Sequence, residues 1–204
     1  MQVTPGSWQS LVVALKCKDG VVLAGTKSVT YSYLRITQRG RSIFVVDNIG
    51  LGFSGHLADL QNVVREIEFE MRYWRHRLNR KMTVKAVAHR LSLLLFSWKS
   101  FPMITFAVVA GYSNEDHDFK LYVLDPVGSI LEENYAAAGI SEEMAIGLLE
   151  DRWKENLTIQ EGKRIAIDLL KVVSRRDIFS TGRFIDVAVI KKDYAKLEEV
   201  EIPM

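Results

Sequence analysis

Apolar positions between Leu11 and Ser54 come in short runs separated by turn residues, and after that the spacing changes. The runs predict strands at 11–17, 20–25, 33–37, 42–47 and 50–54, with turns at Asp19-Gly20, Arg39-Gly40 and Asp47-Asn48. From Leu57 the period becomes helical: Leu57, Leu60, Val64, Ile67, Met71, Trp74 and Leu78 recur at steps of three and four, one face of a long helix. Val84, Val87, Leu91, Leu94 and Trp98 repeat that spacing in a second helix, with Thr83 as its N-cap. The short link around Arg80-Lys81-Met82 folds the two into an antiparallel hairpin. Strands follow at 103–111, 118–125 and 129–133, the first two joined by the loop GYSNEDHD. Ser141 opens a third helix with Glu142 and Glu143 in its first turn, where the helix dipole favours negative charge. Thr158 and Glu161 form a capping-box signature for a fourth helix over about 159–175. A last strand at 184–190 precedes a charged tail.

Strands and helices thus alternate in blocks, which predicts the α+β class. Two antiparallel sheets between two helix pairs make a four-layer αββα sandwich. Composition fits one such domain: 204 residues with 48% hydrophobic content can bury one full core. A net charge of +2 gives no reason to expect nucleic acid or a membrane surface as partner. The single cysteine, Cys17, rules out a disulfide within the chain and fits a reducing compartment. No basic region leads into a long apolar run at the N-terminus, and no stretch is long enough for a membrane span. A cytoplasmic location is therefore expected.

Isolated chemistry is sparse. The four histidines, His56, His76, His89 and His117, pair with neither each other nor the cysteine at ligand spacing, so no metal site is predicted. The basic run Arg72, Arg75, His76, Arg77, Arg80 and Lys81 could mark a phosphate-binding face. It reads better as a solvated or subunit-facing helix surface, because Glu66, Glu68 and Glu70 precede it and the order of signs suits the helix dipole. The apolar helix stripes read as core, and Cys17 reads as a packed strand residue.

A set of ordered segments carries more. LVVALKCKDGVVLAG, RGRSIFVVDNIG, FSGHLADLQ, the strand-loop-helix around YAAAGISEE, and SRRDIFSTGRFIDVAVI resemble the proteasome β-subunit family of N-terminal nucleophile (Ntn) hydrolases. The likeness runs over about 10–190, and it is closest to a non-catalytic β subunit of archaeal type. It implies the αββα sandwich already read from the pattern. It also implies assembly into seven-membered rings with α subunits and catalytic β subunits, no cofactor, and contact with polypeptide substrates only through the complex. On this reading 1–9 is a short leader, 10–190 the domain and 191–204 a tail that reaches toward a neighbour.

Active members of the family attack with the hydroxyl of an N-terminal threonine, freed by self-cleavage after a glycine, whose own α-amine manages the proton. Here the resemblance places that position on Ser10, which follows Gln9 rather than glycine. An uncleaved Ser10 has an amide nitrogen, which cannot accept the proton. The family's acid falls on Thr26, its lysine on Ser42, and the serine after the helix-preceding glycine on Ile140. Arg39 and Arg41 keep positive charge nearby, but a guanidinium does not shuttle protons at neutral pH. Gly55, the oxyanion glycine, and Asp177 are retained. The expected activity is therefore none from this chain itself, within a threonine-type endopeptidase complex whose cutting resides in other β subunits. Two alternatives stay open: a divergent serine- or threonine-type peptidase maturing by self-cleavage before Ser7 or Ser10, and a stand-alone, non-proteolytic oligomer.

Overall fold

The structure is a computed structural model that describes residues 6–9, 11–32, 34–177, 180 and 182–202. Its strands are β1 (Ser7–Gln9), β2 (Leu11–Cys17), β3 (Gly20–Thr26), β4 (Val29–Tyr31), β5 (Leu34–Thr37), β6 (Ile43–Val46) and β7 (Ile49–His56). The helical hairpin α1 (Leu57–Leu78) and α2 (Val84–Ser97) follows, then β8 (Thr105–Ser113), β9 (Asp118–Leu124), β10 (Ile130–Glu132) and β11 (Tyr135–Gly139). The chain continues through α3 (Glu142–Arg152), α4 (Ile159–Arg176), β12 (Phe184–Ile190) and β13 (Ala195–Glu201). One sheet runs β10-β9-β8-β7-β1-β4-β5, with β6 also on β7; the other runs β11-β2-β3-β12-β13.

The pairings are antiparallel, and strand alternation sorts side chains into three apolar layers. On β8, Ala107 and Val109 face the helices while Val108 and Ala110 face the other sheet. On β2, Leu11, Val13 and Leu15 turn toward α3 and α4, whereas Val12 and Ala14 join the layer between the sheets. Both faces of these central strands are covered, so they read as continuous apolar runs rather than as alternation. The α1–α2 pair covers the first sheet through Leu60, Val63, Ile67, Val87 and Leu91. The four-layer sandwich expected from the block order is the fold observed.

Local chemistry sets the joints. Thr83 accepts from the Ala86 amide at 3.1 Å, and Thr158 with Glu161 makes a complete capping box. Asp47 and Asn48 both have positive φ, the backbone that a two-residue hairpin turn requires. The Asp19 carboxylate in the first hairpin turn accepts from the Ile159 amide at 2.8 Å, tying that turn to the start of α4. Cys17 packs beneath it, and burial pushes its thiol up to about 12, far from a working nucleophile.

Several features differ from the sequence expectation, and β4 and β11 are strands that the apolar runs did not mark. Leu78, the last residue of α1, and Trp98, the C-cap of α2, lie about half exposed at the ends of their stripes. The 191–204 segment contains β13, which pairs with β12 from Phe184↔Glu201 to Ile190↔Ala195. Its charged residues are those of a sheet edge, where charge keeps further strands from adding. Residues 7–9 form β1, so both flanks of the 10–190 domain take part in the sheets.

Where β3 ends, Lys27 sits between Asp186 of β12, at 3.2 Å, and Glu199 of β13, at 2.7 Å. Burial opposes the Lys27 charge, but bonds and charge from Glu199 and Asp186 outweigh it and hold the ammonium above its ordinary value of 10.5. Burial pushes the Asp186 carboxyl up, against the pull of Lys27 and, from farther off, Arg41. A raised lysine pKa means that its contribution to stability is complete below pH 10.5 and is lost as pH rises through the folded-state value. In denaturant titrations the wild type is expected to weaken more steeply than Lys27→Met above that pH. Parallel pH profiles would remove Lys27 from this role.

Candidate functional site

The chain passes from the first sheet at Gln9 to the second at Leu11, and the positions of interest surround that crossing. Ser10 itself lies outside the described residues. On the first-sheet side, Gln9 pairs with Gly55 of β7 and with Val29 of β4. Gly55 has φ +127°, and a Cβ there would sit 2.1 Å from the Ile104 carbonyl oxygen, so only glycine fits this backbone.

On the second-sheet side, Leu11 pairs with Gly139 of β11. Thr26 is buried at the end of β3; its hydroxyl accepts from the Leu11 amide at 3.3 Å and lies 3.4 Å from the Leu11 carbonyl. Its side chain therefore serves the backbone one residue past the crossing. Ser42 is fully buried just before β6, and its Oγ has no hydrogen-bond partner among the described residues. It lies 2.3 Å from where a Gly25 Cβ would stand. The missing side chain of Gly25 is what makes room for it.

Ile140 is 42% exposed, in the link between β11 and α3, and offers no polar atom beyond its backbone. The neighbouring serine takes up part of the network instead. Ser141 Oγ donates to Asp177 Oδ2 and stands 3.4 Å from Ser180 Oγ. The Ser180 amide donates to the same carboxylate oxygen at 2.8 Å, and Ser174 Oγ donates to the Ser180 carbonyl at 3.1 Å. Ser141 heads α3 as expected, but its hydroxyl makes no cap bond because it is turned to Asp177. Sequence reasoning missed this role. The available signal was a serine directly after Ile140, at the head of the third helix.

The other unexpected element is β1. It lies between β4 and β7, with Ser7↔Tyr31, Trp8↔Thr30 and Gln9↔Val29 on one side and Trp8↔His56 and Gln9↔Gly55 on the other. Trp8 is buried, edge-on to His56 with ring centroids 5.9 Å apart. His56 Nδ1 lies 3.5 Å from the Asp59 carboxylate, which accepts from the Ile104 amide at 3.0 Å. Extended peptides add to exposed sheet edges in this way. Here the chain's own segment occupies the position beside Gly55.

The family model described as "Proteasome subunit" matches residues 10–190, nearly the whole of the sandwich. The chain belongs to the proteasome β-subunit family. It is 40% identical to "Proteasome subunit beta 1" of Ignicoccus hospitalis over 87% of this chain and 88% of that protein. It is 36% identical to "Proteasome subunit beta 1" of Desulfurococcus amylolyticus over 99% and 97% of the two chains. With "Proteasome subunit beta 2" of Pyrobaculum arsenaticum the identity is 35% over 94% of each. Within a proteasome β-type sandwich, the crossing at Gln9–Leu11 is where the family's resemblance places the nucleophile. No helix among the described residues is long and apolar enough to cross a membrane. Among them, too, no three histidine, cysteine or carboxylate side chains group as metal ligands.

Proposed function

We propose that this chain is a non-catalytic β-type subunit of a 20S proteasome core, working in the cytoplasm beside α subunits and catalytic β subunits in a protein-degrading complex. One observation carries the reading. The positions to which the resemblance assigns the acid and the lysine are held by Thr26 and Ser42, both neutral and buried against backbone. A hydroxyl at Ser10 would have no lysine or acid from these positions to manage its proton, and joint loss of such groups costs several powers of ten in rate. The seating of β1 agrees, because a strand paired on both sides covers the approach to Gly55. Gly55 and the Asp177 network then act as scaffold, holding the strand-to-helix junction and the end of α4.

Self-cleavage before Ser7 would cut at the start of β1 and leave Trp8 and Gln9 paired in place. Intact mass together with fluorogenic-peptide turnover tests both steps. The purified chain is expected to keep its leader and to show no turnover alone or with α subunits, while any turnover in mixtures with catalytic β subunits should be unchanged by Ser10→Ala. Turnover that disappears on Ser10→Ala, or a mass beginning at Ser7 or Ser10, would overturn the proposal.

A further inference from the structure

A cavity of about 190 Å3 opens where the β6–β7 turn, the α1–α2 link, the end of β8 and the β12–β13 turn meet. It lies at the Ile49 end of β7, about 20 Å along the strand from Gly55 and so apart from the Gln9–Leu11 crossing. Its volume is below the roughly 300–1,000 Å3 of pockets for drug-sized ligands, so only a small molecule fits. Asp47 lines it with a side chain 4% exposed. Asp47 Oδ1 accepts from Arg75 at 2.7 Å, while Oδ2 is buried without a hydrogen-bond partner among the described residues. A buried carboxylate oxygen is costly to leave unpaired, so this one calls for a donor.

The other charges on the wall decide what kind of donor it is. Lys81, Lys192 and Asp193 line the same cavity, and among the described residues none of them is in an ion pair. Lys192 lies instead over the Tyr112 ring, with Nζ 5.0 Å from the centroid, which keeps its charge at the cavity. A lone cation in this space would meet the two lysines, and a lone anion would meet Asp47 and Asp193. A molecule that carries both an ammonium and a carboxylate answers both sets at once. We propose that the cavity binds a small zwitterion of the α-amino acid class. Its ammonium donates to Asp47 Oδ2 and Asp193, and its carboxylate accepts from Lys81 and Lys192. The assignment concerns binding alone and holds whether or not the chain cuts peptides.

The test uses the full-length chain at pH 7 with glycine and alanine as probes. Either at about 10 mM is expected to raise the thermal midpoint by about 3–5 °C, the gain from a ligand held with about 1 mM affinity. Methylammonium and acetate each carry half of the zwitterion, and each alone should shift the midpoint by less than about 1 °C. Glycine betaine keeps both charges but has no N–H for Asp47, and it too should leave the midpoint in place. Asp47→Asn would also weaken the Arg75 pair, so the exposed lysines carry the mutational arm. Lys81→Gln combined with Lys192→Gln should fold normally and lose the response to both amino acids. No shift with either amino acid, or a shift that survives in the double-lysine variant, overturns the site. Equal stabilisation by methylammonium, acetate or betaine overturns the assignment to an amino acid.

Discussion

Ser42→Lys is expected to destabilise the fold by about 3–5 kcal/mol, the usual consequence of a buried charge left without its partner. That corresponds to a drop of roughly 6–20 °C in the thermal midpoint for a chain of this length. Ser42 is fully buried, and its Oγ already fills the space over Gly25, so an ammonium would be confined without an acceptor. Adding Thr26→Asp should return a measurable part of the loss, since Thr26 directly follows the glycine that Ser42 touches. A cycle of the two single variants and the double isolates that coupling. Ser42→Ala should be close to neutral, because the native hydroxyl makes no hydrogen bond among the described residues. Either substitution alone strands a buried ion, whereas the native pair leaves a neutral floor. A Ser42→Lys variant as stable as the wild type would mean that position 42 reaches solvent or a hidden counter-ion. The neutral reading of the site would then fail.

Trp8→Ala is the second large effect, at about 3–5 kcal/mol, the range for truncating a buried tryptophan. Trp8 is 6% exposed and stands edge-on to His56, so its ring joins β1 to the junction between β7 and α1. Backbone pairing alone gives a three-residue strand little hold. Without the ring, β1 should leave the sheet and become open to proteases near Gly6–Gln9. Limited proteolysis followed by mass measurement reads this directly. If the truncated variant keeps both its midpoint and its protection, β1 is held by something other than Trp8, and its part in closing the approach to Gly55 loses support.

The strands and helices that fill the sandwich were legible because their apolar spacing is also their packing. Leu60, Val64, Ile67 and Met71 recur at helical steps and are the residues that α1 buries. The capping box at Thr158 is equally local, since both partners lie within one turn of each other. Pattern failed where an element depends on a partner far along the chain. Nothing in Ser7-Trp8-Gln9 marks a strand: three residues show no period, and their pairing comes from Tyr31, Thr30, Val29 and His56. β13 was hidden for the opposite reason. An edge strand is mostly solvated, so its charges resemble those of an unstructured tail until β12 supplies the ladder.

The candidate site divides along the same line. The residue types at 26, 42 and 140 show, by themselves, no acid, lysine or serine at the places the family resemblance assigns them. Charge and hydroxyl chemistry belong to the side chain and need no geometry to be counted. What the residues there do was decided only in the tertiary structure. Thr26 turns its hydroxyl to the Leu11 backbone, and Ser42 fills the space that Gly25 leaves open. Ser141 reaches Asp177 from thirty-six residues away in sequence, and Trp8 seats β1 against His56. Each of these contacts joins segments that only the packing of two sheets brings together. A hydrogen bond or a filled cavity is a property of distance, and linear sequence carries residue types but not distances.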